Sequence, residues 1–429
     1  MTEQPTRALD GGYEGGPRVF DLGLPPLTLE HGARVLDHHV RGFWWGPTRD
    51  LPVLAEKARV FGPEWFETEA YRVVRRPPGE VREPVRKEGA LDPSIPTVLV
   101  VHALTGDMCA GGPTGFWQPV VGPGLPLDPS RLRILGFNNL GSCYGTSGPP
   151  DPSFPRSEDA RFPATVTTWD QARSLLLALD ALGIDRVHLV VGGSIGGMIA
   201  LCLAALAPDR FERVAPIAAC EASSAWVVGW NHVARQVLIL DPEFPSHPSR
   251  GLQLARQLAM MTYRAEPGLD ARQGRGLASP EPASGPSLFR VGSYLEHQGR
   301  KLRDRFDAGA YLVQLGAMDH HDLGRPPSLP DAHESWVHDG DSGPAQEGDD
   351  LSWGVRRIRA SARVVHVDTD NLCHPVQSLR LVERLRRAGV HAESGVIHSP
   401  HGHDGFLIEW EKLAFELRSA LALPAGGNA

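Results

Sequence analysis

Ser194 stands in Gly192-Gly193-Ser194-Ile195-Gly196, a G-x-S-x-G pentapeptide where an apolar strand-like run gives way to an apolar helix-like one. A turn that tight tolerates only the smallest flanking residues and forces the serine into an unfavourable backbone conformation. The hydroxyl then projects at the N-terminus of the following helix, where the peptide dipoles favour negative charge. A hydroxyl is a weak nucleophile without a base, and an imidazole base needs an acid to orient it. Two later runs end in candidates for both. "ARVVHV" is followed by "DTDNLCHP", offering Asp368 and Asp370, and "AESGVIHS" by "PHGHDGF", offering His401 and His403. Serine, acid, histidine is the chain order expected for a serine on such a turn. The pattern leaves each pair open, and the later member, further out on its loop, is preferred.

An acyl-transfer serine also needs two N–H donors for the oxyanion: one from the residue after it, the other from the loop after an earlier strand. Ile195 fills the first position, and Leu104 in "HALTGD" is the simplest source of the second. The competing reading is a glycine-rich turn that merely packs closely or cradles a phosphate. The strand before it and the helix after it weigh against that, and no G-x-G-x-x-G follows the first strand.

The elements that must position these groups alternate. "TVLVVHAL" (97–104), "LRILGFNNLG" (132–141), "RVHLVVGG" (186–193) and "RVAPIAAC" (213–220) are buried-strand runs. "TTWDQARSLLLALDALG" (167–183), closing on Gly183 as a C-cap, and "GGMIALCLAALAP", stopped by Pro208, are helices between them. Strands alternating with helices imply βαβ units and a parallel sheet, an α/β fold. "PLTLEHGARVLDHHVRGFWWG" reads as two strands around His31-Gly32. The expected organisation is a flexible tail at 1–25, then the first part of the α/β core at 26–220 with an excursion at 51–93. A helical lid at 221–330, a flexible loop at 331–350 and the second part of the core at 351–429 follow.

Composition narrows the class. With 41% hydrophobic and 22% charged residues among 429, the chain is of ordinary globular make-up. A formal charge of −8 and the lack of a basic stripe argue against nucleic-acid or anionic-membrane partners. The five cysteines are scattered without a CxxC pair, which fits a reducing cytoplasm and gives no metal site. The longest apolar run is too short to cross a bilayer.

Seven segments in order carry a resemblance: "HALTGD", "NNLGSCYGTSGP", "GGSIGGM", "SYLEHQGRKLRDRFDAGAY", "AMDHHDLGR", "DTDNLCHPVQ" and "GHDGFL". Over roughly 100–415 the chain resembles the homoserine O-acetyltransferase family, α/β-hydrolase-fold enzymes of methionine biosynthesis. The resemblance implies a mostly parallel sheet flanked by helices with a helical lid. It implies ping-pong transfer, in which Ser194 takes the acyl group from acyl-CoA, acetyl-CoA first among donors, and passes it to the hydroxyl of homoserine. It selects Asp370 and His403 as triad acid and base and aligns Leu104 and Ile195 with the oxyanion donors. Arg235 matches a residue binding the substrate carboxylate, and Asp404 one holding its ammonium group. A homodimer through the helical region, and no bound cofactor, are also implied. Departures are present: Ile195 replaces a methionine, Cys202-Leu203 replaces a glutamate and a tryptophan, and a Gly-then-Tyr after "LDPEF" is missing. They keep serine open as acceptor, and succinyl-CoA stays open as donor because no pocket for the donor's acid group is legible in the sequence. A hydrolase on the same fold, with water as acceptor, is the further alternative.

Overall fold

The computed structural model describes residues 16–62, 65–66, 91–279, 286–330 and 351–426. In chain order the first elements are β1 (Arg18–Gly23), β2 (Leu27–Thr28), β3 (Arg34–Val35), β4 (His39–Trp45), α1 (Leu51–Lys57) and β5 (Arg59–Phe61). Next come β6 (Thr97–Val101), β7 (Arg133–Phe137), α2 (Thr168–Leu182), β8 (Leu189–Gly193), α3 (Ile195–Leu206) and β9 (Arg213–Ile217). Five helices follow: α4 (Ala225–Ile239), α5 (Ser249–Tyr263), α6 (Glu266–Gln273), α7 (Arg290–Arg303) and α8 (Ala308–Asp319). The chain closes with α9 (Trp353–Arg357), β10 (Ser361–Val367), α10 (Pro375–Arg387), β11 (Ala392–Ile397) and α11 (Trp410–Ala422).

The continuous apolar runs become the middle of a sheet that has nine strands among the described residues, in the order β11-β10-β9-β8-β6-β7-β4-β1-β5. Every residue of β6, β7, β8 and β9 is buried. Both faces of a parallel sheet are covered by helices, so its strands need β-branched and leucine residues at consecutive positions. The pairs from β7 through β6, β8, β9 and β10 to β11 are parallel, whereas β4, β1 and β5 are antiparallel additions at the other side. The chain leaves β6 toward β7 on one side and returns to β8 on the other. Sheets of this kind open a crevice at the carboxyl ends of the two strands where the order reverses. Leu104 follows one of those strands and Ser194 the other.

Local chemistry fixes the flanking helices. Thr167 caps α2 in a capping box with Asp170, and Gly183 ends it in the left-handed region at φ 73°. All twelve residues of α3 are buried, as its wholly apolar sequence requires. Helices α4 to α8 occupy the chain between β9 and β10, where the strand pattern disappears from the sequence.

Three expectations change. The tail expected at 1–25 is shorter: β1 and β4 pair from Arg18 with Trp44 to Gly23 with His39, burying Val19, Phe20 and Leu22. Its Asp21 is ion-paired with Arg41 of β4 at 2.6 Å, a partner that a local reading of the segment lacks. The start of the excursion at 51–93 is ordered as α1 and β5, which extends the sheet edge, while 67–90 lies outside the described residues. The helix expected from Gly405 onward is divided: Gly402–Leu407 forms a 3-10 turn and α11 begins at Trp410. The expected loop at 331–350 is also outside the described residues. Among the described residues no helix is long and apolar enough to cross a membrane.

Candidate active site

Ser194 sits between β8 and α3 with φ 58° and ψ −128°, one of three non-glycine residues with positive φ among the described residues. Such strain costs about 1–3 kcal/mol and persists only where surrounding contacts impose it. Here the Ser194 N–H donates to the Ile217 carbonyl at 2.8 Å. The strand end and helix start approach too closely for side chains. A Cβ on Gly196 would lie 2.3 Å from the Val101 oxygen, and one on Gly192 2.4 Å from the Gly196 carbonyl carbon. The serine is 5% exposed.

The two open pairs separate cleanly. Asp370 follows β10, is buried, and brings Oδ2 to 2.7 Å from His403 Nδ1. Its Oδ1 accepts the N–H groups of Leu372 at 2.8 Å and Cys373 at 2.9 Å, so the carboxylate cannot turn away. Asp368 instead holds the exposed His398 at 2.9 Å and accepts the Ser399 N–H at 2.9 Å, a clasp between the ends of β10 and β11. His401 has no such carboxylate, and burial together with Arg272 and Arg264 lowers its pKa.

The 3-10 turn Gly402–Leu407 carries His403. Phe406 of that turn lies on Gly193, where an added Cβ would meet the ring at 2.3 Å, and the His403 and Phe406 rings are 5.7 Å apart edge-on. The loop bearing the imidazole is thereby packed on the residue preceding Ser194. With Nδ1–H given to Asp370, Nε2 carries the lone pair, and it is buried without a hydrogen-bond partner. The serine-to-imidazole bond is therefore not made here; such bonds are often long or misaligned before substrate arrives. Burial works to lower the His403 pKa, but the charge and hydrogen bond of Asp370, with Asp404 adding, hold it above its ordinary value.

Leu104 is buried in the loop after β6. Neither its amide nor that of Ile195 donates to an acceptor among the described residues. Ile195 opens α3, and the first amides of a helix have no intrahelical acceptor. His102 braces the loop: Nε2 accepts the Asn139 N–H at 2.9 Å, which leaves the proton on Nδ1 to bond the Ala103 carbonyl at 2.7 Å. Burial depresses its pKa to about 4, so it stays neutral. From the helical segment, Arg305 donates to the Thr105 carbonyl at 2.7 Å and to the Tyr144 hydroxyl at 2.6 Å.

The two residues expected to hold an amino acid lie apart in their contacts. Asp404 adjoins His403 and is ion-paired with Arg264 at 3.2 Å. Arg235 is bound by Asp319, which also accepts from Asn231 at 2.7 Å. It lines a cavity of about 290 Å³ with Phe162, Val313 and His320, none of which belongs to the triad loops. Arg264 and Tyr263, whose ring lies 5.8 Å from that of His403, come from the end of α5. No motif in the sequence marks them. All five cysteines are free thiols. Asp37, His39 and Asp151 could gather around a cation, but His39 Nδ1 already bonds the Asp37 carbonyl at 2.9 Å.

The chain is similar in sequence and in fold to known proteins. Residues 96–249 match the α/β-hydrolase fold family. The chain is 35% identical to a homoserine O-acetyltransferase of Moorella thermoacetica, across 74% of this chain and 83% of that protein. It is 38% identical to a homoserine O-succinyltransferase of Neisseria gonorrhoeae, across 73% and 82% respectively. Among solved structures, a homoserine O-acetyltransferase from Bacillus anthracis superposes with a TM-score of 0.72 at 17% identity, covering 96% of this chain and 100% of that one. Esterase E22 gives 0.69 at 17%, covering 94% and 99%, so the fold alone does not separate transfer from hydrolysis. With that identity and coverage, the chain belongs to the homoserine O-acyltransferase family, on the α/β-hydrolase fold.

Proposed function

We propose that the protein transfers an acetyl group from acetyl-CoA to the hydroxyl of L-homoserine through an acyl-Ser194 intermediate. The observation that carries this reading is the buried Asp370–His403 pair, its Nε2 unpartnered, on a loop packed against the strained serine turn. His403 takes the Ser194 proton through Nε2 as Oγ attacks the thioester carbonyl. Asp370 keeps the other ring nitrogen protonated and stabilises the imidazolium. The oxyanion is received by the amides of Leu104 and Ile195, a contribution of about 3–4 kcal/mol per donor in sites of this kind. The thiol leaves with the proton from His403. The acceptor hydroxyl then gives its proton to the same nitrogen and attacks the acyl-enzyme, and Ser194 recovers its proton as the ester departs.

Asp404 takes the acceptor's ammonium group and Arg235 its carboxylate, the guanidinium then being shared with Asp319. Helices α4 to α8 act as a lid that keeps water from the acyl-enzyme, which is what separates transfer from hydrolysis. Exposed Leu254 and Met261 on α5 support a homodimer through this region. The five free thiols fit work in the cytoplasm.

Thiol release with acetyl-CoA or succinyl-CoA, and with homoserine, serine or no acceptor, tests the reading. Release is expected to depend on homoserine and acetyl-CoA and to vanish in Ser194→Ala. Release independent of any amino acid identifies a hydrolase instead, and turnover by Ser194→Ala refutes the nucleophile.

A further inference from the structure

The last residues paired between β10 and β11 are Val367 and Ile397. Beyond them the two chain segments stay in step through side chains, and three consecutive residues each reach across. Asp368 accepts the Ser399 N–H at 2.9 Å and holds His398. Asp370 meets His403 Nδ1 at 2.7 Å. Between them stands Thr369, half-buried, whose hydroxyl donates to the Ser399 carbonyl and accepts the Gly402 N–H at 3.1 Å. A carbonyl only accepts and an amide only donates, so the one hydroxyl proton and a lone pair are both committed. One side chain thereby bridges the two ends of the turn 399–402 that leads directly into His403.

Other contacts press on this turn from the lid side. Gly402 has φ 68°, and a Cβ there would lie 2.7 Å from the Ala265 amide nitrogen. A Cβ on Gly268 would lie 2.4 Å from the Pro400 oxygen. Those contacts set the turn against the helices, not against the acid. Asp370 is itself fixed by the Leu372 and Cys373 amides, so what freedom the pair retains belongs to the histidine turn. Thr369 is the residue that ties this turn to the segment bearing the acid.

We propose that the Thr369 hydroxyl is a positioning group, which holds the turn before His403 in register with Asp370 and so keeps Nδ1 on the carboxylate. It touches no reacting atom. Its meaning for catalysis rests on the transfer reading given above; the restraint itself rests on the two hydrogen bonds. The charged and titratable groups facing His403 are Asp370 after β10, Asp404 on its own turn, and Tyr263 at the end of α5, where Arg264 pairs with Asp404. Threonine adds no charge to that set, so a shift of the His403 titration on its replacement reports a changed contact with Asp370.

Labelling of Ser194 by a fluorophosphonate provides the assay, because it needs an activated serine but neither acyl-CoA nor an acceptor. Thr369→Val puts a methyl where the hydroxyl stood, and Thr369→Ala carries the same expectation with no added methyl. Circular dichroism checks folding in both. Each is expected to slow labelling about tenfold and to move its pH limb downward, since a loosened Asp370 leaves burial to lower the His403 pKa. The downfield proton resonance of His403 Nδ1–H, assigned by its loss in His403→Gln, should move upfield or broaden in both. Thr369→Ser should restore rate, limb and resonance nearly to wild type. Wild-type behaviour of the valine and alanine variants overturns the proposal. So does slowing with limb and resonance unmoved, which marks a structural role, or a serine variant no better than valine. The expected pattern in a protein whose wild type releases no thiol from acyl-CoA would leave the role of Thr369 standing and refute the transfer reading alone.

Discussion

Replacing Asp370 by asparagine probes the pair on which the proposed chemistry depends, and the structure fixes what the amide must do. Oδ1 receives two backbone N–H groups, at 2.8 and 2.9 Å, and only an oxygen can accept both. The amide nitrogen therefore faces His403 Nδ1, where Oδ2 stood at 2.7 Å. Both groups then offer a proton unless the imidazole moves its own to Nε2, which removes the lone pair that should receive the Ser194 proton. The substitution also deletes the carboxylate charge beside the imidazolium. Two unit charges about 4 Å apart at an effective dielectric of about 20 attract by ~4 kcal/mol, a factor of ~10³ in rate. Tautomer and charge together set the expected loss in acylation at about 10³ to 10⁴, the range seen for this change in serine triads.

The pH profile separates this account from simple damage. The base must be neutral, so acylation rises with pH as His403 loses its proton, and in the wild type that limb lies above 6.5. Without Asp370 the burial effect, the largest single influence on this imidazole, acts nearly unopposed, and the limb moves below 6.5. The assay is pre-steady-state thiol release from acyl-CoA across pH 5 to 9 (roughly the span in which histidine titrates), with circular dichroism to establish folding. A folded Asp370→Asn protein that loses less than tenfold, or whose limb stays where the wild type has it, would refute the reasoning.

Three further outcomes follow from contacts around the site. Gly193→Ala drives Cβ into the Phe406 ring and is expected to cost ~1–3 kcal/mol in urea unfolding along with a loss of acylation. Phe406→Leu in the same chain should recover part of both, and independent effects would deny the coupling. Thr167→Ala removes the capping box of α2 and should lower unfolding free energy by ~1 kcal/mol while acylation stays unchanged; an unaltered urea midpoint would contradict this. Arg305→Met frees the Thr105 carbonyl beside the Leu104 amide and should lower kcat about tenfold with little change in KM. Partial rescue by Arg305→Lys is expected, and a change confined to melting temperature would mark the contact as structural only.

What the sequence disclosed follows physical lines. The central strands were readable because a sheet covered on both faces demands consecutive apolar residues, and β6, β8 and β9 supply them. The serine turn was readable because two close approaches and one strained residue leave almost no choice of side chain. β1 was not, because half its logic lies in Arg41 of another strand, which pairs with Asp21 and makes a polar, glycine-flanked segment look like a tail. Asp368 and Asp370 present the same carboxyl two positions apart. Only assembly of β10 beside β11 gives the first to exposed His398 and turns the second inward to His403. Tyr263 and Arg264 carry no local signature at all. They stand at the end of α5, an amphipathic helix on which arginine and tyrosine are ordinary, and their place beside His403 and Asp404 arises only on assembly.

An unpaired imidazole nitrogen next to a strained serine turn is an argument for where the chemistry happens. A folded chain pairs its buried polar groups because an orphaned one costs about 1–3 kcal/mol. Here His403 Nε2 is buried and unpaired beside the Tyr263 ring. On the neighbouring loop Ser194 holds a positive φ that costs about as much again. Against a net stability of about 5–15 kcal/mol, this much local expense gathered at one point is large. Violations of this kind concentrate where a ligand supplies the missing partners. An acyl-enzyme attacked by the hydroxyl of the acceptor would supply that partner, because the attacking hydroxyl donates to Nε2.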